Sequence, residues 1–311
     1  MNRKNFLKTS TGLVAATALP LTSIASPTHS ASSAQSNVKN AKKVILKKSL
    51  VFGMIDEDLS MVDKFKLVKD LGFDGVELNS PNDFETSEIL EAKEKSGIEL
   101  PSVINKDHWS KPLSDPDADV RAACIESVAT SLQDMKDYGG DTVLVVPGVV
   151  NDKVSYEKAY YQSQASIREL IPYAEKTGIQ IALENVWNNF ILSPLEAKRF
   201  LDEINHPLIG WYFDVGNILR YGWPEHWIET LQSRIMKLHL KEYSRDIMFN
   251  EGVRKGFSVE LSEGDNNWPV VMKALNKIDY RGEWITAEVK GGDRQRLLDV
   301  SQSMDKIINS N

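Results

Sequence analysis

The sequence predicts a single-domain α/β fold, a (β/α)8 TIM barrel. Three observations carry that expectation. Strand-like and helix-like segments alternate eight times across residues 45–311. The strand segments are short and nearly continuously apolar, as a parallel sheet covered by helices requires. No G-x-G-x-x-G follows the first strand, where an open, doubly wound nucleotide-binding sheet would carry one.

The elements follow in order. An apolar run over 50–54 is the first strand, and 59–71 has helical spacing closed by Gly72. A strand over 75–78 leads to a helix over 84–96, closed by Gly97. The third strand, 100–104, precedes a long helix over 117–138 that stops at Gly139 and Gly140. The β-branched strand 142–146 ends at Pro147, and the helix 156–176 is followed by Gly178. Strand five is 179–184, and its helix, 194–204, opens on a proline. Strand six is 209–214, with a helix from Pro224. Strand seven, 235–239, is followed by a long loop over 240–267 and a helix over 268–278. In that loop the string GDNNWP predicts that Asp265 caps the following helix. Strand eight is 283–288, and the last helix is 294–308.

Composition bounds the function. The 311 residues carry a net charge of -7 with no Lys/Arg-rich patch. Such a chain is a poor binder of nucleic acid or anionic membranes. The single cysteine, Cys124, excludes an internal disulfide and a cysteine-rich metal site, and its helical setting reads as a buried structural thiol. Residues 1–25 read as an export signal. Arg3, Lys4 and Lys8 precede a weakly apolar run, and Ser23-Ile24-Ala25 suits a signal peptidase. The expected location is therefore periplasmic. The string NRKNFLK is twin-arginine-like, with Lys4 where the second arginine belongs, so the route stays open between the two export systems. The apolar run is too short for a membrane span, and no cysteine offers a lipid anchor. Residues 26–44 read as a flexible leader, with His29 inside it.

Four of the strand segments end on residues able to ligate a metal: Glu184, Asp214, His239 and Glu288. Active sites of such barrels lie at the C-terminal ends of the strands. The gaps of 30, 25 and 49 residues match one β-α unit each, with the long loop after strand seven taking up the excess. Each residue alone reads as a helix cap or an ordinary hydrogen-bonded side chain. Three carboxylates at one rim would repel, and a bound cation removes that cost. Oxygen-rich ligation with one imidazole suits Mn2+, Mg2+ or Co2+ rather than a structural zinc.

The strings ALENVWNNF, YFDVGN, KLHLKEYSR and TAEV resemble the xylose-isomerase-like barrel superfamily, in particular the sugar isomerase/epimerase branch that includes D-tagatose and D-psicose 3-epimerases. The resemblance runs over residues 50–308. It implies that Glu184, Asp214, His239 and Glu288 bind a divalent metal, most often Mn2+. It also implies that Glu184 and Glu288 act as acid and base on opposite faces of a sugar, through an enediolate. It assigns a substrate contact to Arg245, six residues after the metal histidine, and places Lys241 at the pocket. The chain departs from that pattern at Asn217, where the family has a substrate-binding histidine. It departs again at Phe190, where those epimerases often carry a glutamate beside the first metal ligand. Relatives of this kind often form dimers or tetramers, so a homo-oligomer is an assembly the resemblance allows.

Further residues are read from position. Glu77 ends strand two and serves either as a substrate hydrogen-bond partner or as a cap. His108 and Trp109 follow strand three and read as a hydrogen-bonding and stacking pair for a sugar, or as a solvated loop pair. Asn185 and Trp187 flank Glu184 and read as pocket lining, whereas Trp211 and Trp284 read as core. The function expected is a metal-dependent sugar isomerase or epimerase on a free or oxidised keto sugar. A lyase or hydrolase on 3-keto-glycosides would use the same proton abstraction. A silent sugar-binding barrel is the non-catalytic alternative. A multi-metal endonuclease is disfavoured by five histidines in all and by the acidic charge.

Overall fold

The computed structural model describes residues 43–310. The segment read as an export signal, nearly all of the segment read as a leader, and His29 lie outside those residues. Eight parallel strands close in sequence order into one barrel. They are β1 (Lys47–Val51), β2 (Gly75–Ser80), β3 (Ser102–Asn105), β4 (Thr142–Val145), β5 (Gln180–Glu184), β6 (Ile209–Asp214), β7 (Ile235–Leu240) and β8 (Trp284–Ala287). Between them run α1 (Met61–Asp70), α2 (Thr86–Ser96), α3 (Ala118–Tyr138), α4 (Tyr156–Thr177), α5 (Pro194–Ile204), α6 (Val215–Ile218), α7 (Pro224–Leu231), α8 (Arg245–Glu251) and α9 (Trp268–Lys277), and α10 (Arg294–Ile308) follows β8.

Local chemistry explains the helix ends. Ser60, Asp117, Ser155, Ser193 and Asp293 each accept a backbone N–H of the first helical turn, a cap that contributes about 1 kcal/mol. Gly97, Gly139 and Gly178 close their helices in the left-handed conformation, where a side chain would be strained.

Alternation along the strands sorts the core. Outward residues such as Val76, Val103, Val143, Ile181, Phe213 and Leu238 join the large core shared with the helices. Inside the barrel a small apolar layer of Leu144, Ala182 and Tyr212 meets a polar layer. There Ser49, Glu77, Ser102 and Thr286 are all fully buried. A register shift between Trp211 and Tyr212 where β6 pairs with β7 sets Asp214 beside His239.

Four differences from the sequence expectation have local causes. The first strand starts earlier, at Lys47, and residues 52–54 form a 3-10 turn; Lys48 is buried because its ammonium bonds Ser301 and pairs with Asp305. Val44, read as part of the leader, is buried and its N–H bonds the Asn276 side chain. The segment 240–267 is no simple loop: it holds α8 and a 3-10 segment, Val253–Ser258. Asp265 does not cap α9; its Oδ2 accepts the Arg245 N–H at 2.6 Å and anchors the start of α8.

Cys124 is fully buried, and burial pushes its thiol up to about 12. The native protein should leave Cys124 unreacted with a thiol reagent over hours, and should titrate one thiol after denaturation. Rapid native labelling would contradict this placement.

Candidate metal centre and its cavity

The register brings the ends of β5 to β8 together. Asp214 pairs with His239 in the ladder, His239 with Thr286, and the Glu288 N–H extends that ladder to the Leu240 carbonyl. Glu184, Asp214, His239 and Glu288 each offer one ligand atom, and these atoms lie within 4.8 Å of one another. All but Glu288 are buried, and Glu288 is partly so. The expected convergence of the four side chains is what the fold builds.

The imidazole has two different sides. Its Nδ1 lies 3.0 Å from Glu184 Oε1 and 2.9 Å from Glu288 Oε2. Its Nε2 lies 2.7 Å from Glu77 Oε2. Glu77 is wholly buried and also accepts from the Ser102 and Tyr212 hydroxyls, at 2.5 and 2.8 Å. It neither caps a helix nor lines the cavity. It holds the histidine so that Nδ1 faces the carboxylates, the arrangement by which a second carboxylate orients a metal-binding imidazole.

A buried cluster of acids needs positive charge. Lys241 Nζ lies 2.7 Å from Glu288 Oε2 and 2.8 Å from Asp214 Oδ2. The Asp214 contact is an ion pair off hydrogen-bond geometry, so that buried oxygen has no hydrogen-bond partner. Burial disfavours charge on His239, but Glu77, Glu288 and Glu184 outweigh it and raise the imidazole well above its usual range. Lys241 is raised in the same way by Asp214, Glu288 and Glu184 against its burial. Burial lifts Glu184 to about 7 despite His239. Burial acts on Glu288 too, but Lys241 and His239 prevail and hold it well below the usual carboxylate range. Three acids and one imidazole, with one buried Asp214 oxygen that makes no hydrogen bond, fit a divalent cation, which favours oxygen-rich sites.

The cluster forms the floor of a cavity of about 870 Å³. His108, Trp187, Asn217 and Lys241 line it, as expected, and so does Trp109. His108 is buried, and its Nδ1 accepts the Val146 N–H at 3.2 Å. That leaves an Nε2–H donor for the cavity, and burial lowers the ring to about 4, so it is neutral at ordinary pH. The Trp187 indole N–H donates to the Asn217 carbonyl at 3.0 Å. The Asn217 amide in turn donates to the Asn185 carbonyl.

Two further readings are corrected. Arg245 does not line the cavity: its guanidinium donates to the Leu219 and Gly222 carbonyls, both at 2.8 Å, and lies over Trp223. It braces the β6–α7 connection. Asn185 is no pocket residue either. It accepts from Trp211 Nε1 and the Asp214 N–H and donates to the Asp214 carbonyl, which pins the end of β5 to the end of β6. Phe190 packs among Tyr156, Tyr160 and Phe200 and stays in the core. Tyr212 was missed. It stands two residues before Asp214, on the same strand face, and that spacing was the available signal.

Two outcomes are expected. In a Mn2+ titration, Glu77→Gln should bind the ion roughly 10- to 100-fold more weakly, and Lys241→Met roughly tenfold more tightly because a competing cation is gone. Unchanged affinity in both would contradict these placements. His108 has a depressed folded-state pKa, so the unfolded chain takes up its proton first as pH falls. Its contribution to stability is complete above about pH 6.5 and is lost toward pH 4, with roughly 2 kcal/mol gone by about pH 5. Urea unfolding at both pH values should show this slope, and His108→Gln should flatten it.

Known proteins place the fold. The family described as xylose isomerase-like TIM barrel matches residues 65–309. L-ribulose-5-phosphate 3-epimerase UlaE of Salmonella typhi is 22% identical over 231 residues, 67% of this chain and 81% of that protein. D-psicose 3-epimerase from Clostridium cellulolyticum H10 superposes with a TM-score of 0.67 at 20% identity, over 84% of this chain and 97% of that one. The 3-keto-D-glucoside 4-epimerase YcjR from E. coli gives 0.69 at 15% identity, over 84% and 98%. A closed eight-stranded barrel with its acidic cluster at the C-terminal rim, matched by the family over most of its length, shows that this chain belongs to the xylose isomerase-like TIM barrel family.

Proposed function

We propose that this protein is a divalent-metal-dependent sugar epimerase or isomerase, acting on a free or oxidised keto sugar. The observation that carries the reading is the pair Glu184 and Glu288 around one point, together with Asp214 and His239 within 4.8 Å. The epimerase activities named for the similar proteins support it. Glu184, Asp214, His239 and Glu288 would hold the ion, with Mn2+ the best candidate and Mg2+ or Co2+ the alternatives. When bound, such an ion polarises a carbonyl and an adjacent hydroxyl and stabilises the charge of an enediolate.

The protein's own groups do the rest. Glu184 comes from the end of β5 and Glu288 from just beyond β8, so the two carboxylates reach the substrate carbon from different sides of the barrel. One removes the proton next to the carbonyl and the other returns a proton to the opposite face, which inverts the carbon. His108 offers a fixed neutral N–H donor to a sugar hydroxyl. The Lys241 ammonium, adjacent to both Asp214 and Glu288, balances negative charge while the proton is in transit. Trp187 and Asn217 hold each other at the wall and shape the ring site. Elimination from a 3-keto-glycoside is the second reading. The cavity of about 870 Å³ favours it because the space exceeds one sugar ring.

Metal-loaded protein in D2O should incorporate deuterium at the carbon beside the carbonyl of a ketose or a 3-keto-glucoside. Glu184→Gln and Glu288→Gln should each lower that exchange by at least roughly 100-fold. Release of an aglycone would select the elimination reading. No exchange with any ketose or keto-glycoside would refute both.

A further inference from the structure

We propose that the outer part of the cavity is a subsite for a second, negatively charged unit of the substrate. On this account the ligand is a sugar joined to a carboxylate- or phosphate-bearing group, not a small neutral monosaccharide. The inference rests on the functional reading above and specifies its substrate class.

Size comes first. The cavity holds about 870 Å³. A hexose has about twelve non-hydrogen atoms. Even at a water's share of roughly 30 Å³ per atom it occupies less than half of that space. The inner end, at Glu184, His239, Lys241 and Glu288, accounts for one ring. The rest of the lining includes Lys106, Trp109, Arg254 and Lys290.

Charge comes second. Lys106 follows β3, Arg254 sits in the 3-10 segment after α8, and Lys290 lies two residues beyond Glu288. All three line the cavity and are exposed. Among the described residues, none of them lies within ion-pair distance of a carboxylate, whereas Lys241 on the floor has two such partners. The acids that also line the cavity are already engaged. Glu184 and Glu288 belong to the floor cluster. Glu242 accepts the Tyr243, Ser262 and Asn266 N–H groups and the Trp268 indole N–H. The rim of a chain with net charge -7 thus carries three cations drawn from three separate loops, with Asp107 as a neighbouring acid of Lys106 but, among the described residues, no carboxylate at ion-pair distance from any of the three. Such a rim attracts an anion and repels a second cation.

The third element is a platform. Trp109 lines the same cavity and is 49% exposed. Its ring meets His108 edge to face, with centroids 6.0 Å apart. That leaves indole surface to stack on the outer unit, while His108 donates to the inner one.

Calorimetric binding to the metal-loaded full chain tests this with three ligands of equal length: a neutral disaccharide, the same disaccharide bearing a uronic carboxylate, and its phosphate ester. At about 50 mM salt the charged ligands should bind roughly tenfold or more tightly than the neutral one, and raising the salt several-fold should erase most of the difference. The combined variant Lys106→Ala, Arg254→Ala, Lys290→Ala should lose the preference yet bind the neutral disaccharide as the wild type does. A preference for only one charged ligand identifies the anion. Equal binding of neutral and charged ligands, a preference that survives in the variant, or no binding by any of the three overturns the proposal. Turnover is read separately in D2O. Charge-selective binding without exchange keeps the subsite and removes the catalytic reading. Exchange with neutral sugars and no charge preference does the reverse.

Discussion

Buried negative charge is the constraint around which this structure is arranged. Three carboxylates, Glu184, Asp214 and Glu288, converge with Glu77 close behind. In a low-dielectric interior such a group cannot stay ionised without compensation. The protein answers with His239 between Glu77 and the rim acids, and with Lys241 across Asp214 and Glu288. A divalent ion would supply the same compensation more compactly, beside the Asp214 oxygen that pairs with Lys241 but makes no hydrogen bond. Charge balance, more than any single contact, links the barrel to its chemistry.

The barrel supplies the precision. Strand alternation aims Tyr212 and Asp214 inward from β6 and His239 inward from β7, and the register shift between those strands aligns Asp214 with His239. Below them lies a polar layer in which Ser49 bonds Thr286, and Ser102 and Tyr212 bond Glu77. The Tyr212 ring also packs on His239, with centroids 4.4 Å apart. The imidazole is therefore fixed by a hydrogen bond on one edge and an aromatic face on another. Asn185 ties β5 to β6 at the level of the ligands. Such locking keeps ligand geometry from depending on loop motion.

The fold was largely legible because its signals are local. Gly97, Gly139 and Gly178 mark helix ends by their own backbone chemistry, and Pro194 marks a helix start. The ligand set was legible because Glu184, Asp214 and His239 fall on the last turns of predicted strands, a position that one topology converts into one rim. What depends on distant partners was not. Glu77 and Tyr212 meet only because β2 and β6 face each other across the barrel, 135 residues apart in the chain. The family resemblance assigned Arg245 a substrate contact, but α8 and the carbonyls of Leu219 and Gly222 draw it away. The cations at Lys106, Arg254 and Lys290 carry no motif; only the closed barrel gathers them.

The most direct test of the central claim is anomalous diffraction from crystals grown with Mn2+. The account predicts one strong peak per chain, within about 2.0–2.6 Å of a carboxylate oxygen from each of Glu184, Asp214 and Glu288 and of His239 Nδ1, with Nε2 still bonded to Glu77. No peak there, a peak ligated elsewhere, or an ion bound through Nε2 would contradict it.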